Sequence, residues 1–369
     1  MKKITEKNTY QFNSYVSLFF ISILSCVIFF IAINVIMPPN VKNIVSHNSN
    51  YQYQLMWSND YRSISYPGAS FVINNEDIIR IDYKLFGNDI LSVANLNTGE
   101  DIWQLEIINS ADYILSTLQE NYLYISNLRT TSAIDLEKRE VVWQFELGNE
   151  RFIGLQIFAI TNEYILLKLE ETKIAFLTFE GTLSEEINYD AEIFGYTPNS
   201  IITIADNNLI SQSFFSQEIN WSWEIPEKCS RYKLADCYKV YSNLDDRNIY
   251  IHADGNLSEF IYMLDSDTGQ LVWENDVSKY NGIASNIASD EDKVYFYTWE
   301  DILIVLDKVT GSLIDTVQFE TEYNPISGFF SSTLTNHNFI EISGNTLIIY
   351  FGHINSLQAY QINTIRNNN

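Results

Sequence analysis

The apolar positions divide this chain into two unequal parts. From Asn8 to Val41 there is no Asp, Glu, Lys or Arg, and Tyr15 to Met37 is almost continuously apolar. As a helix those 23 residues would rise about 35 Å, enough to cross a hydrocarbon core of ~30 Å. The run exceeds the ~7–15 apolar residues of a signal-peptide core, and no small-x-small site follows it. Ile23-Leu24-Ser25-Cys26 has the look of a lipoprotein cleavage box, but mostly apolar residues follow it where a processed lipoprotein turns polar. The pattern therefore predicts a tail over 1–14, an uncleaved transmembrane anchor over 15–37 and a linker over 38–50.

From residue 51 to 369 the period changes. Short runs such as Asn121-Tyr-Leu-Tyr-Ile-Ser126, Asn248-Ile-Tyr-Ile-His252 and Lys293-Val-Tyr-Phe-Tyr297 are broken by Asn, Asp, Gly and Ser. Clustered β-branched and aromatic residues between turn formers read as strands, and no long helix interrupts them.

Those strands recur in units. Val93-x-Asn95-x-x-Thr98-Gly99-x-x-x-Trp103, Met263-x-Asp265-x-x-Thr268-Gly269-x-x-x-Trp273 and Val305-x-Asp307-x-x-Thr310-Gly311 share one frame, the last with Asp315 where Trp would stand. Ala133-x-Asp135 with Trp143, Ala175-x-Leu177-x-x-Glu180-Gly181 with Glu185, and Ser211-x-Ser213-x-x-Ser216-Gln217 with Trp221 are eroded copies. Positions 103, 143, 185, 221, 273 and 315 lie 40, 42, 36, 52 and 42 apart, so the widest interval carries an insertion. Each unit predicts a strand ending at Asp, a turn on Thr-Gly, and a strand carrying a Trp that packs between sheets. A sheet of ~40–45 residues cannot bury both faces alone, so the copies must stack radially.

The Ala-x-Asp-x-x-Thr-Gly-x-x-x-Trp frame resembles the repeats of the quinoprotein-type (PQQ-like) β-propellers, from about Trp57 to Ile365. The resemblance implies an all-β propeller of four-stranded blades. Ala359-x-Gln361-x-x-Thr364 matches the first half of a repeat and Gln54-Leu-Met-Trp57 the second half. Joined, they make a blade closed by the two ends of the domain; seven blades are expected, with six or eight as the alternatives. The family includes quinone-cofactor dehydrogenases and non-catalytic propellers of outer-membrane assembly.

Composition narrows the function. Lys2, Lys3 and Lys7 against Glu6 give the first 41 residues +2, so the formal net charge of −25 leaves −27 on the remainder. The positive tail favours a cytoplasmic N-terminus and an extracytoplasmic propeller, in a periplasm or at a cell surface. The acidic field disfavours nucleic acid and favours basic partners. Cys229 and Cys237, outside the apolar run, are expected to close a surface loop as a disulfide. The vicinal Cys pair of some quinoproteins is missing, no catalytic or metal-ligating set stands out, and no cofactor is expected. Trp221-Ser-Trp223 reads as packing rather than sugar stacking, and Asp245-Asp246 and Asp290-Glu-Asp292 as solvated loop tips. The reading is a non-catalytic, membrane-tethered propeller whose rim loops bind proteins. The alternatives are a PQQ-dependent oxidoreductase and a sensor of a small ligand or glycan.

Overall fold

The structure, a computed structural model, describes residues 41–47, 51–60, 71–74, 76–82, 88–107, 114–119, 121–126, 130–146, 156–161, 163–226, 237–242, 247–254, 258–280, 282–321, 338–351 and 356–364. Strand β1 (Val41–Ser46) is followed by β2 (Tyr51–Asp60) and then by regular blades. Blade 1 comprises β3 (Phe71–Asn74), β4 (Asp77–Asp82), β5 (Asp89–Asn95) and β6 (Asp101–Ile107); blade 2, β7 (Ile114–Gln119), β8 (Tyr122–Ser126), β9 (Thr130–Asp135) and β10 (Glu140–Glu146). Blade 3 comprises β11 (Gln156–Ile160), β12 (Ile165–Glu170), β13 (Lys173–Leu177) and β14 (Leu183–Asn188); blade 4, β15 (Glu192–Thr197), β16 (Ser200–Ala205), β17 (Asn208–Ser213) and β18 (Ile219–Glu224). Blade 5 comprises β19 (Tyr238–Ser242), β20 (Asn248–Asp254), β21 (Glu259–Asp265) and β22 (Leu271–Asp276); blade 6, β23 (Ile283–Ser289), β24 (Lys293–Thr298), β25 (Ile302–Asp307) and β26 (Leu313–Thr321). Blade 7 is β27 (Phe339–Ser343), β28 (Thr346–Phe351) and β29 (Ser356–Thr364), completed on its outer side by β2. The described residues thus form seven antiparallel sheets, the expected seven-bladed propeller.

Burial explains why the strands read as they do. The middle strands of a blade are covered by neighbours on both faces, so they are nearly continuous apolar runs, as in Lys173–Leu177 and Ile302–Asp307. Within Asn248–Asp254, Ile249 and Ile251 pack with Ile202 and Ile204 of blade 4, while Tyr250 packs with Val294 and Phe296 of blade 6. Period-2 alternation sends successive side chains to opposite seams. Outer strands meet water on one side and alternate, as in Leu271–Asp276.

Closure runs through the two ends of the domain. β2 pairs antiparallel with β29 from Tyr51↔Thr364 to Asp60↔Ser356, placing Trp57 opposite Ala359. Pairing the two ends gives those strands partners that they would otherwise lack as sheet edges. The linker expected over 38–50 needs correction, because Val41–Ser46 within it forms β1. That strand adds to the outer edge of blade 6, from Val41↔Thr321 to Ser46↔Val317. Alternation of apolar residues over so few positions is too weak a signal to identify such a strand in advance. The expected anchor at 15–37 and the tail at 1–14 lie outside the described residues. Among the described residues, no helix is long and apolar enough to cross a membrane.

Candidate interaction surface

At every seam but that from blade 6 to blade 7, a blade meets the next where its outer strand faces the turn between the third and fourth strands of its neighbour. The Nε1 of Trp57 donates to Leu96 O at 2.7 Å, Trp143 to Phe179 O at 2.8 Å, and Trp221 and Trp273 to Ser266 O and Lys308 O at 2.9 Å. The indoles lie so close to the neighbouring turns that a Cβ on Gly99, Gly181, Gly269 or Gly311 would stand 2.5–2.7 Å from a ring carbon. Gly is needed for space, and its positive φ is needed for the turn. Asp265 accepts from Thr268 N at 2.8 Å and Thr268 Oγ1 at 2.7 Å, and Asp307 makes the same pair of bonds with Thr310. These bonds hold both carboxyls below their usual pKa range, with the threonine hydroxyl as the main cause.

The eroded repeats keep these seams by other means. Arg139 occupies the glycine position of blade 2 at φ 59, and its guanidinium sits 5.6 Å over the Trp103 ring. Asp135 heads that turn and binds Lys138 Nζ at 2.8 Å, a contact that holds its carboxyl below the usual range. Between blades 3 and 4, Glu185 stands where Trp would be and Gln217 replaces Gly at φ 56. There Tyr189 donates its hydroxyl to Phe214 O at 2.7 Å, the first carbonyl of the turn, as Leu96 O is for Trp57. Phe214 and Phe215 then pack against Phe176, with Phe215 also edge-on to Tyr164. Neither Tyr189 nor Phe214 carries a repeat signature.

The seam from blade 6 to blade 7 is different in kind, because blade 7 is joined from two chain ends and its third and fourth strands share no turn. Asp315, at the tryptophan position, is buried and accepts from Ser46 Oγ of β1 at 2.7 Å. The Tyr53 hydroxyl of β2 also donates to it, and burial together with that carboxylate pushes the phenol well above its usual range.

The remaining candidates from sequence fall into structural roles. Trp223 packs edge-on to Tyr262, 5.1 Å between ring centroids, inside the seam of blades 4 and 5. Asp290 caps its own turn by accepting from Asp292 N and Lys293 N. Cys237 is disulfide-bonded; Cys229, like Asp245-Asp246, lies outside the described residues. No group of three His, Cys, Asp or Glu suited to a metal occurs among the described residues.

What faces outward is apolar at one recurring place. Ile102, Val141 and Val142, Ile219, and Leu271 and Val272 are all exposed, one or two positions before the repeat tryptophan of an outer strand. Outer strands β6, β10, β14, β18 and β22 end their sheets among the described residues. Blade 6 shows what such an edge can accept, since β1 adds to it as a further strand.

Residues 258–338, spanning the best-preserved repeat, match the PQQ_2 family model, described as outer membrane protein assembly factor BamB. The chain is a seven-bladed β-propeller with PQQ-like repeats over residues 258–338. The propeller is similar to BamB from Moraxella catarrhalis at 13% identity, covering 88% of this chain and 99% of that one, with a TM-score of 0.47. It is also similar to the β-propeller domain of Myceliophteria thermophila Cps50 (Swd1), at 11% identity, with the same coverages and a TM-score of 0.56. At such identity the second likeness speaks of fold alone. No curated protein matches the chain.

Proposed function

We propose that this PQQ-like propeller is a membrane-tethered, extracytoplasmic scaffold that binds proteins along the outer edges of its blades. The observation that carries this reading is the exposed apolar residues that precede the outer-strand tryptophans, one at Ile102 and Ile219 and two at Val141-Val142 and Leu271-Val272. An open sheet edge with exposed apolar side chains is a template for an added strand, with backbone hydrogen bonds giving affinity and side chains giving specificity. The charge of the segment after residue 41 favours a basic partner. The family match to an assembly factor of outer-membrane proteins supports a place in envelope assembly. The apolar run over 15–37 supplies the anchor.

The test is affinity purification of the full-length tagged protein from gently solubilised native membranes, beside a Val141→Asp/Val142→Asp variant of equal thermal stability. A stoichiometric partner retained by the wild type and reduced at least fivefold by the variant is the expected result. Equal retention by both proteins overturns the edge-binding reading, and no partner above background overturns the scaffold.

A further inference from the structure

The position of β1 constrains how the disc stands on its membrane. β26 runs from the turn at Gly311 to Thr321, and β1 pairs antiparallel to it with Val41 opposite Thr321. The chain therefore enters β1 on the face that carries the connections from one blade to the next. It leaves at Ser46 toward the opposite face, where the Thr-Gly turns lie. Only Pro38, Pro39 and Asn40 separate Met37 from Val41. Four residue steps reach at most about 14 Å, and the proline pair favours an extended, semi-stiff spacer. Since the headgroup layer is ~5–8 Å deep on each side of the hydrocarbon core, Val41 stands close above it.

The same corner of blade 6 presents a tryptophan to solvent. The turn Trp299–Asp301 is tied to the end of β26 by Phe319 N to Asp301 O at 2.9 Å and Gln318 Nε2 to Glu300 O at 2.9 Å. Trp299 leans on Gly282, yet is 51% exposed. An amphipathic indole beside a membrane anchor is at home in the headgroup layer, where tryptophans concentrate. At the far end of the same blade, Val309 is 74% exposed on the turn after β25.

We infer that the blade 6 corner bearing Val41 and Trp299 rests on the bilayer surface, with the Thr-Gly turns pointing away from it. The inference rests on the proposed anchor and adds which face of the disc is turned to lipid and which is left for partners. The neighbouring Glu300 and Glu320 make a zwitterionic surface the better fit.

The test uses full-length protein with Cys26→Ser, reconstituted into phosphatidylcholine vesicles that carry doxyl-labelled lipid. A fluorescent label is placed through Trp299→Cys, or through Glu300→Cys should the first variant misfold, and separately through Val309→Cys. Strands of this length put the two sites on the order of 20–25 Å apart, beyond the reach of one shallow quencher. At least twofold stronger quenching at 299 or 300 than at 309 is expected. Equal or reversed quenching in protein that floats with the vesicles overturns the orientation alone. Protein that fails to float overturns the anchor, and the orientation with it.

Discussion

Tyr189 donates its hydroxyl to the carbonyl of Phe214 across 2.7 Å, and so takes the place of the tryptophan that closes other blade seams. The replacement is paired with changes on both sides of the seam, Glu185 in the outer strand and Gln217 in the turn. With a side chain at Gln217, no indole could lie against the turn as Trp221 does at Gly269, where an added Cβ would stand 2.5 Å from the ring.

Tyr189→Phe is expected to lower stability by about 1 kcal/mol, the net worth of a hydrogen bond, and by more where the carbonyl is left dry. Glu185→Trp should not restore it, because Gln217 still occupies the docking place. Urea midpoints of the single and double variants check both statements; rescue by Glu185→Trp alone would show that the seam is not mutually exclusive.

Two glycines separate space from conformation. Gly269 and Gly344 both have positive φ, but an added Cβ meets Trp221 at 2.5 Å in the first and nothing within 4 Å in the second. Gly344→Ala should cost about 1 kcal/mol from the backbone alone. Gly269→Ala adds a steric clash and should cost roughly 3 kcal/mol. Thermal unfolding of the two variants decides; equal losses would deny the tryptophan contact.

Asp315→Trp would restore the repeat consensus and is nevertheless expected to destabilise. Blade 7 offers no turn for the indole to dock on, and the substitution leaves the Tyr53 hydroxyl and Ser46 without their acceptor. A loss of about 3 kcal/mol is expected from overpacking and the lost bonds. A raised midpoint would overturn this account of the closure.

Burial pushes the Glu341 carboxyl from an ordinary value near 4.5 up to about 7. Because the folded protein holds this proton more tightly than the unfolded chain, its contribution to stability falls as pH rises from about 4.5 to 7 and is level above that. Glu341→Gln should therefore gain on the wild type between pH 5 and pH 8. The gain is on the order of 2 kcal/mol, short of the full shift because the carboxyl keeps some contact with water. Denaturant midpoints at the two pH values check the sign. For Asp265 and Asp307 the sign is opposite: their stabilising effect is present at neutral pH and is lost as pH falls through their depressed folded values.

Sequence alone determined the repeat, the ring and its closure. Trp, Thr and Gly recur at a spacing set by one blade, and the half-repeats at Trp57 and Ala359 complement each other. Such features are legible because the same local geometry demands the same residue types each time. The packing role of Trp223 was legible for the same reason, through its place two residues beyond Trp221 on one strand. Only the tertiary structure decided the rest. Tyr189 with Phe214, Arg139 over Trp103, and Asp315 with Ser46 replace a repeated contact by a different one, so no periodicity marks them. Ser46 and Asp315 are 269 positions apart, and their contact exists only because the closed ring brings β1 to the edge of blade 6. The outward apolar residues before the tryptophans were present in the sequence as strand residues. That they face solvent follows from which strand of each blade lies outermost, and that is a property of the assembled disc.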